Sequence, residues 1–149
     1  MQEGEGHFVE DVMQKNVIAI DSSATIKDAA IMMTDTHVGC VIITDGSSPI
    51  GIVTERDIVQ RVVSEDIPLS TSVSEIMSTN LITAKLDYTL WELAQLMKTN
   101  SIHKIPIEKD GNLVGIVTAT DLVKANSLAS GTEIGKITEQ ILVRISKNS

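Results

Sequence analysis

The stretch Gly51-Ile52-Val53-Thr54-Glu55-Arg56-Asp57-Ile58-Val59 returns 64 residues later as Gly115-Ile116-Val117-Thr118-Ala119-Thr120-Asp121-Leu122-Val123. Each copy reads as a short buried strand running into a helix. Thr54 and Thr118 stand where the helices begin. Asp57 and Asp121 follow three residues on, the spacing at which a side chain can cap free N–H groups of a first turn. Such a junction also gathers N–H groups, a hydroxyl and a carboxylate in one place. Free N–H groups at a positive helix end suit a phosphate, and a carboxylate suits the paired hydroxyls of a ribose.

The duplication extends well beyond this stretch. Residues 13–59 align with 77–123 without a gap, and 13 of the 47 positions are identical. Among them are Met13/Met77, Asn16/Asn80, Ile18/Ile82, Thr25/Thr89, Ala30/Ala94, Met33/Met97 and Ile43/Ile107. Two copies of one supersecondary unit are expected. In each, a short apolar run (Val17 to Ile20, Leu81 to Ala84) suits a strand. Ile26, Ala29, Ala30 and Met33, and then Leu90, Leu93, Ala94 and Met97, keep the spacing of a helix with one apolar stripe. Thr25 with Asp28 and Thr89 with Glu92 fit capping boxes. Cys40 to Thr44 and Pro49 to Val53 form one strand pair, and Lys104 to Glu108 and Leu113 to Val117 the other, each joined through Asp-Gly. With the closing helix, each copy reads β-α-β-β-α.

The expected boundaries are residues 8–62 for the first repeat, 63–75 for a linker, 76–126 for the second repeat and 127–149 for a C-terminal helical extension. That extension carries Ile134, Ile137, Ile141 and Ile145 at helical spacing, with Leu142 widening the stripe. A unit of roughly 50 residues buries little surface by itself. The two sheets are therefore expected to pack together and leave a groove on each side.

Composition narrows the function. Of 149 residues 42% are apolar but only 2% aromatic, so Ile, Val, Leu, Met and Ala must build the core. No apolar run reaches membrane-spanning length, and Met1 to Phe8 lacks the pattern of a secretion signal. A cytoplasmic protein without a membrane partner is expected. The formal charge of −8, with no basic cluster, argues against nucleic acid. Cys40, the only cysteine, lies in the apolar run Val38 to Ile43 and reads as a buried small hydrophobe. Three scattered histidines without a carboxylate cluster do not make a metal site. No nucleophile with its base, Gly-rich phosphate loop or paired catalytic carboxylates can be found, so no enzyme is expected.

The gap-free duplicate, its β-α-β-β-α order and the Gly-x-Val-Thr-x-x-Asp ending resemble a tandem pair of CBS domains, named after cystathionine β-synthase. The resemblance covers about residues 8–126. It implies an α/β fold of two β-α-β-β-α repeats packed through their sheets, a CBS pair or Bateman module. It also implies regulation by adenosyl compounds such as AMP, ADP, ATP or S-adenosylmethionine in clefts between the repeats, with no cofactor required. Asp57 and Asp121 would hold ribose hydroxyls, with Thr54 and Thr118 near ribose and phosphate. Adenine would meet Val17, Ile18, Ala19, Val38 and Val41 in one repeat, and Leu81, Ile82, Thr83, Ile102, Ile105 and Pro106 in the other. Ile102-His103-Lys104-Ile105-Pro106 resembles the family segment whose basic residues reach phosphate, which makes His103 and Lys104 candidates. The first repeat has Gly39 and Cys40 at those positions, and Arg56 is the compensating candidate there. Unequal affinity at the two sites follows. Similar modules pair into discs, so a homodimer, an effector protein as partner, or a ligand-independent interaction module that could serve a partner enzyme as its regulatory subunit is also implied.

Overall fold

The computed structural model describes residues 8–126. The elements in chain order are α1 (Val9–Val12), β1 (Ala19–Asp21), α2 (Ile26–Thr36), β2 (Cys40–Asp45), β3 (Ser48–Thr54) and α3 (Glu55–Asp57). α3 runs on as a π-helical segment over Ile58–Val63, and a 3-10 turn follows at Val73–Glu75. The second half supplies β4 (Ala84–Lys85), α4 (Leu90–Asn100), β5 (Lys104–Lys109), β6 (Asn112–Thr118) and α5 (Ala119–Asn126). The apolar stripe at Ile134 to Ile145 lies outside the described residues.

Each repeat forms a three-stranded mixed sheet, ordered β1-β2-β3 and β4-β5-β6. β1 runs parallel to β2, Ala19 opposite Ile42, and β4 runs parallel to β5, Ala84 opposite Ile107. β2 and β3 are antiparallel, with Val41 opposite Val53. Helices α2 and α4 bury the stripes read from the sequence: Ile26, Ala29 and Met33 in one, Leu90, Leu93, Ala94 and Met97 in the other. Ala30 is only partly buried, whereas its counterpart Ala94 is fully enclosed. Cys40 is buried, as its apolar surroundings predicted.

The hairpin turns sharpen one reading. The sequence puts Asp-Gly at residues 45–46 and again at 110–111, an offset of 65 rather than 64. The turns themselves keep the offset of 64. Gly46 takes φ 65° in the first, and Asp110 and Gly111 take φ 53° and 83° in the second. Positive φ at both central residues is the requirement of a type I′ hairpin turn, which Asp-Gly meets with little strain. The first turn meets its single need for positive φ with Gly46.

The chain forms two compact units, and each takes its leading segment from the other repeat. The first unit is Asn16–Leu81 with Asp110–Leu113. Its core joins Ile26, Ala29, Val41, Ile43 and Val53 to Val73 and Ile76. The second unit combines the described part of Met1–Lys15 with Ile82–Lys109 and the described residues from Val114 on. Here Val9 is wholly buried among Leu90, Leu93, Ile105, Ile107 and Leu122. Burying such a side chain contributes about 1.5–3 kcal/mol. The backbone secures the same docking: Val9 N–H donates to the Tyr88 carbonyl at 3.0 Å, and Gln14 and Ile116 exchange two N–H···O bonds of 2.9 and 3.0 Å. In the first unit Ser78 and Ile52 exchange the equivalent pair at 2.9 and 3.1 Å.

This exchange explains two identities in the duplicate. A Cβ on Gly51 would come within 2.6 Å of Met77 Sδ, and a Cβ on Gly115 within 2.6 Å of Met13 Sδ. Both glycines are required for close approach, since each lets a methionine of the exchanged segment lie against its strand.

Candidate functional site

Both Thr-x-x-Asp junctions form complete capping boxes. Thr54 N–H donates to Asp57 Oδ2 at 2.8 Å, the Thr54 hydroxyl donates to the same oxygen at 3.0 Å, and Asp57 N–H returns a bond to Thr54 Oγ1 at 3.2 Å. Thr118 and Asp121 repeat the pattern at 2.8, 3.1 and 3.3 Å. Each set satisfies N–H groups that a helix start leaves without partners. The device is general in this chain. Thr25 with Asp28 and Thr89 with Glu92 form the same box at the starts of α2 and α4. The bonds from the Thr25 N–H and hydroxyl hold the Asp28 carboxyl below its ordinary pKa.

Position separates the two junctions from ordinary caps. Each lies where the last strand of its sheet, β3 or β6, ends, and the carbonyl of the residue preceding β2 or β5 receives the first N–H of the helix. Gly39 accepts from Glu55 at 3.0 Å, and His103 accepts from Ala119 at 2.8 Å. Residues 39 and 103, singled out from the sequence, therefore sit beside Thr54 and Thr118 in their own units. Asp57 and Asp121 are both partly buried.

The junctions differ in what else touches the carboxylate. Gln14 Nε2 reaches Asp121 Oδ1 at 3.1 Å and Oδ2 at 3.2 Å. Gln14 comes from the exchanged segment, held over β6 by its backbone pairing with Ile116. Its counterpart in the duplicate is Ser78, which is paired to Ile52 by backbone alone. Among the described residues Asp57 Oδ1 has no protein donor. The sequence pointed to neither Gln14 nor this contact. The Gln/Ser difference at position 14/78 was visible, but its meaning depends on the exchange.

The remaining candidates fall into three groups. Val41 and Ile105 are completely buried in their cores and Pro106 is buried, so their side chains serve packing. Val17, Ile18, Ala19 and Val38, with Leu81, Ile82, Thr83 and Ile102, are partly buried and present some surface. The Ile18 carbonyl already accepts from Ile42 N–H at 3.0 Å. Arg56 and His103 are exposed, and Lys104 is partly buried. Partial desolvation, followed by the adjacent Lys104 charge, pushes the His103 pKa below its ordinary 6.5. Close to neutral pH this imidazole is therefore uncharged and can still gain a proton near an anion.

A groove of about 350 Å³ opens on the first unit, lined by Ala30, Met33, Thr34, Val38, Glu55, Ile58 and Val59. Ala30 forms part of its wall, which accounts for its incomplete burial. Among the described residues no group of three or more His, Cys, Asp or Glu is placed to hold a metal, and no helix is long and apolar enough to cross a membrane.

Fold and junctions together define a duplicated α/β module with a polar capping site at the end of each motif strand. The sequence model of the CBS domain matches twice, over residues 9–64 and 73–127, and the chain belongs to the CBS domain family. It is 32% identical over 134 residues to the CBS domain-containing protein YhcV of Bacillus subtilis, covering 89% of this chain and 96% of that one. Another relative, the uncharacterized protein MJ1404 of Methanocaldococcus jannaschii, is 33% identical over 130 residues, and there the match spans only 31% of the longer protein. Among solved structures, the CBS domain pair of protein MJ0100 in complex with 5-methylthioadenosine and S-adenosyl-L-methionine superimposes with a TM-score of 0.71 and 27% identity. That match covers 83% of this chain and 98% of the other. The protein is thus a CBS pair, a regulatory module, and proteins of this kind are generally regulatory rather than catalytic.

Proposed function

We propose that this CBS pair senses an adenosyl compound, AMP, ADP, ATP or S-adenosylmethionine, and catalyses no reaction itself. Asp57 and Asp121 take the ribose hydroxyls, and Thr54 and Thr118 stand beside ribose and phosphate. Arg56 supplies positive charge to a phosphate at one junction, and His103 with Lys104 at the other. Ligand binding favours one arrangement of a cytoplasmic homodimer and so alters its contact with an effector protein. The observation that carries this reading is Asp57. Its Oδ2 caps the helix while Oδ1 remains available for a ligand hydroxyl. The adenosyl ligands of the MJ0100 pair support the choice of ligand class.

Titration calorimetry with AMP, ADP, ATP and S-adenosylmethionine tests the reading. Binding of at least one is expected, and no heat or thermal stabilisation from any of the four defeats it. Asp57→Glu separates capping from ligand contact. Glu92 already caps α4 with bonds of 2.9 and 3.1 Å, so a glutamate at this position preserves the box. The variant should keep its thermal midpoint and lose about tenfold in affinity, the scale of a hydrogen bond to a charged group. Unchanged affinity would leave Asp57 as a cap alone.

One observation favours a second reading, a ligand-independent interaction module. Ile31, Val59 and Val63 are exposed by 48, 61 and 68%, and Val59 edges the apolar groove. Light scattering distinguishes the two. A dimer that forms equally with and without the four compounds, none of which binds, favours this alternative.

A further inference from the structure

We infer that Gln14 is a built-in occupant of the Asp121 junction and makes it the weaker of the two ligand sites. The inference rests on the proposed adenosyl function and deepens it by assigning the order in which the junctions fill.

A carboxylate offers about four acceptor positions. At Asp57 the Thr54 N–H and hydroxyl occupy two, both on Oδ2. Two positions are left for the paired hydroxyls of a ribose. At Asp121 the Thr118 N–H and hydroxyl use the same two. Gln14 Nε2 then lies at 3.1 and 3.2 Å from the two carboxylate oxygens and takes one of the two positions that remain, so Asp121 cannot accept from both hydroxyls of a ribose. An amide N–H donor thus stands where a hydroxyl donor of the ligand would have to stand. A ribose engages Asp121 with both hydroxyls only after Gln14 leaves, and the exchange of one donor for another yields little net free energy.

Two further features make Gln14 an effective blocker. Its backbone is clamped by the two bonds with Ile116, so its side chain begins from a fixed position. Val9, five residues earlier, is wholly buried in the same unit and anchors the segment. Among the described residues the other junction has no such donor: Ser78, at the position equivalent to Gln14, pairs with the Ile52 backbone and makes no hydrogen bond to Asp57. The asymmetry thus arises from one side chain on an exchanged segment, and both Thr-x-x-Asp motifs remain intact.

The test compares wild type with Gln14→Ser, which copies Ser78, and Gln14→Met, which keeps the length but removes the amide. Neither change touches the Gln14–Ile116 backbone pairing, and thermal midpoints check that both variants fold. Each protein is titrated with AMP, ADP, ATP and S-adenosylmethionine. The expected result is a first step, sensitive to Asp57→Glu, that is the same in all three proteins. A second step should tighten about tenfold in both Gln14 variants and weaken about tenfold with Asp121→Glu. A second step unchanged in both variants overturns the role of Gln14 while leaving the adenosyl reading in place. Tightening in Gln14→Ser alone shows that bulk rather than the amide blocks the site, and overturns the inference as stated. No binding of any of the four to any variant removes the adenosyl reading, and this inference with it.

Discussion

The junctions at Thr54 and Thr118 share every bond that folding needs and differ in the bonds it does not need. Both capping boxes agree to within about 0.1 Å in all three distances. Around them the repeats diverge: Gly39 against His103, Arg56 against Thr120, Ser78 against Gln14. The helices behind them diverge as well, π-helical over Ile58–Val63 but regular through Asn126. A duplicated unit can keep its strand-to-helix turn fixed while the residues laid against it change, because capping is local and ligand contact is not. Every experiment below exchanges a residue between the repeats or tests whether a shared contact carries equal weight in both.

The largest effect is expected in the cores. Ala29 and Leu93 are equivalent, and both are completely buried. The second repeat therefore fills with leucine a position the first fills with alanine. Leu93→Ala should leave a cavity and cost about 2–5 kcal/mol, while Ala29→Leu should overpack and cost about 1–3 kcal/mol. Urea unfolding of both variants checks this. A loss under about 1 kcal/mol in Leu93→Ala would mean that the α4 core collapses around the change.

Next comes the shared glycine contact. Gly51→Ala and Gly115→Ala each push a methyl to within 2.6 Å of a methionine sulfur and 3.0 Å of a backbone carbonyl, of Ser78 in one case and Gln14 in the other. Each should cost about 1–3 kcal/mol, and by similar amounts. Thermal unfolding measures both. Clearly unequal losses would show that the exchanged segments are held with different strength in the two units, despite equal geometry.

Much of this arrangement could be read from the residues. The 64-residue offset, the two helix stripes and all four capping boxes depend on local spacing, which a sequence displays directly. β1 and β4 were less legible. The apolar runs begin at Val17 and Leu81, yet regular pairing starts only at Ala19 and Ala84, where the partner strand lies opposite. The exchange of leading segments left no local pattern. Its one trace was the pair of identities Met13/Met77 and Gly51/Gly115, which read as two separate matches until the structure showed each methionine on a glycine. For the same reason the candidate residues could be proposed from motif position, but the contact that distinguishes the junctions could not. Gln14 and Asp121 are 107 residues apart, and nothing in either neighbourhood announces the other.

The smallest expected effect belongs to His103, and it bears directly on the comparison because Gly39 has no titratable group. In the free protein, desolvation and Lys104 favour the neutral imidazole, so its pKa lies below the ordinary 6.5. The folded state then holds fewer protons than the unfolded chain as pH falls below 6.5, and the His103 contribution to stability declines there while vanishing above it. A bound phosphate reverses the preference, because an anion nearby favours imidazolium. Binding should therefore take up a proton, and affinity at the Thr118 junction should rise as pH drops through and below 6.5. For an exposed pair the gain is at most about fivefold. Calorimetry of AMP and of adenosine from pH 7.5 to 5.5 isolates the phosphate, because adenosine should show no such rise. His103→Gly, which copies Gly39, should flatten the AMP profile at this junction and leave the Thr54 junction unchanged. The AMP phosphate itself gains a proton at about pH 6, so the comparison with His103→Gly decides: if the two AMP profiles coincide, the imidazole does not meet the phosphate, and the basic charge at this junction comes from Lys104 alone.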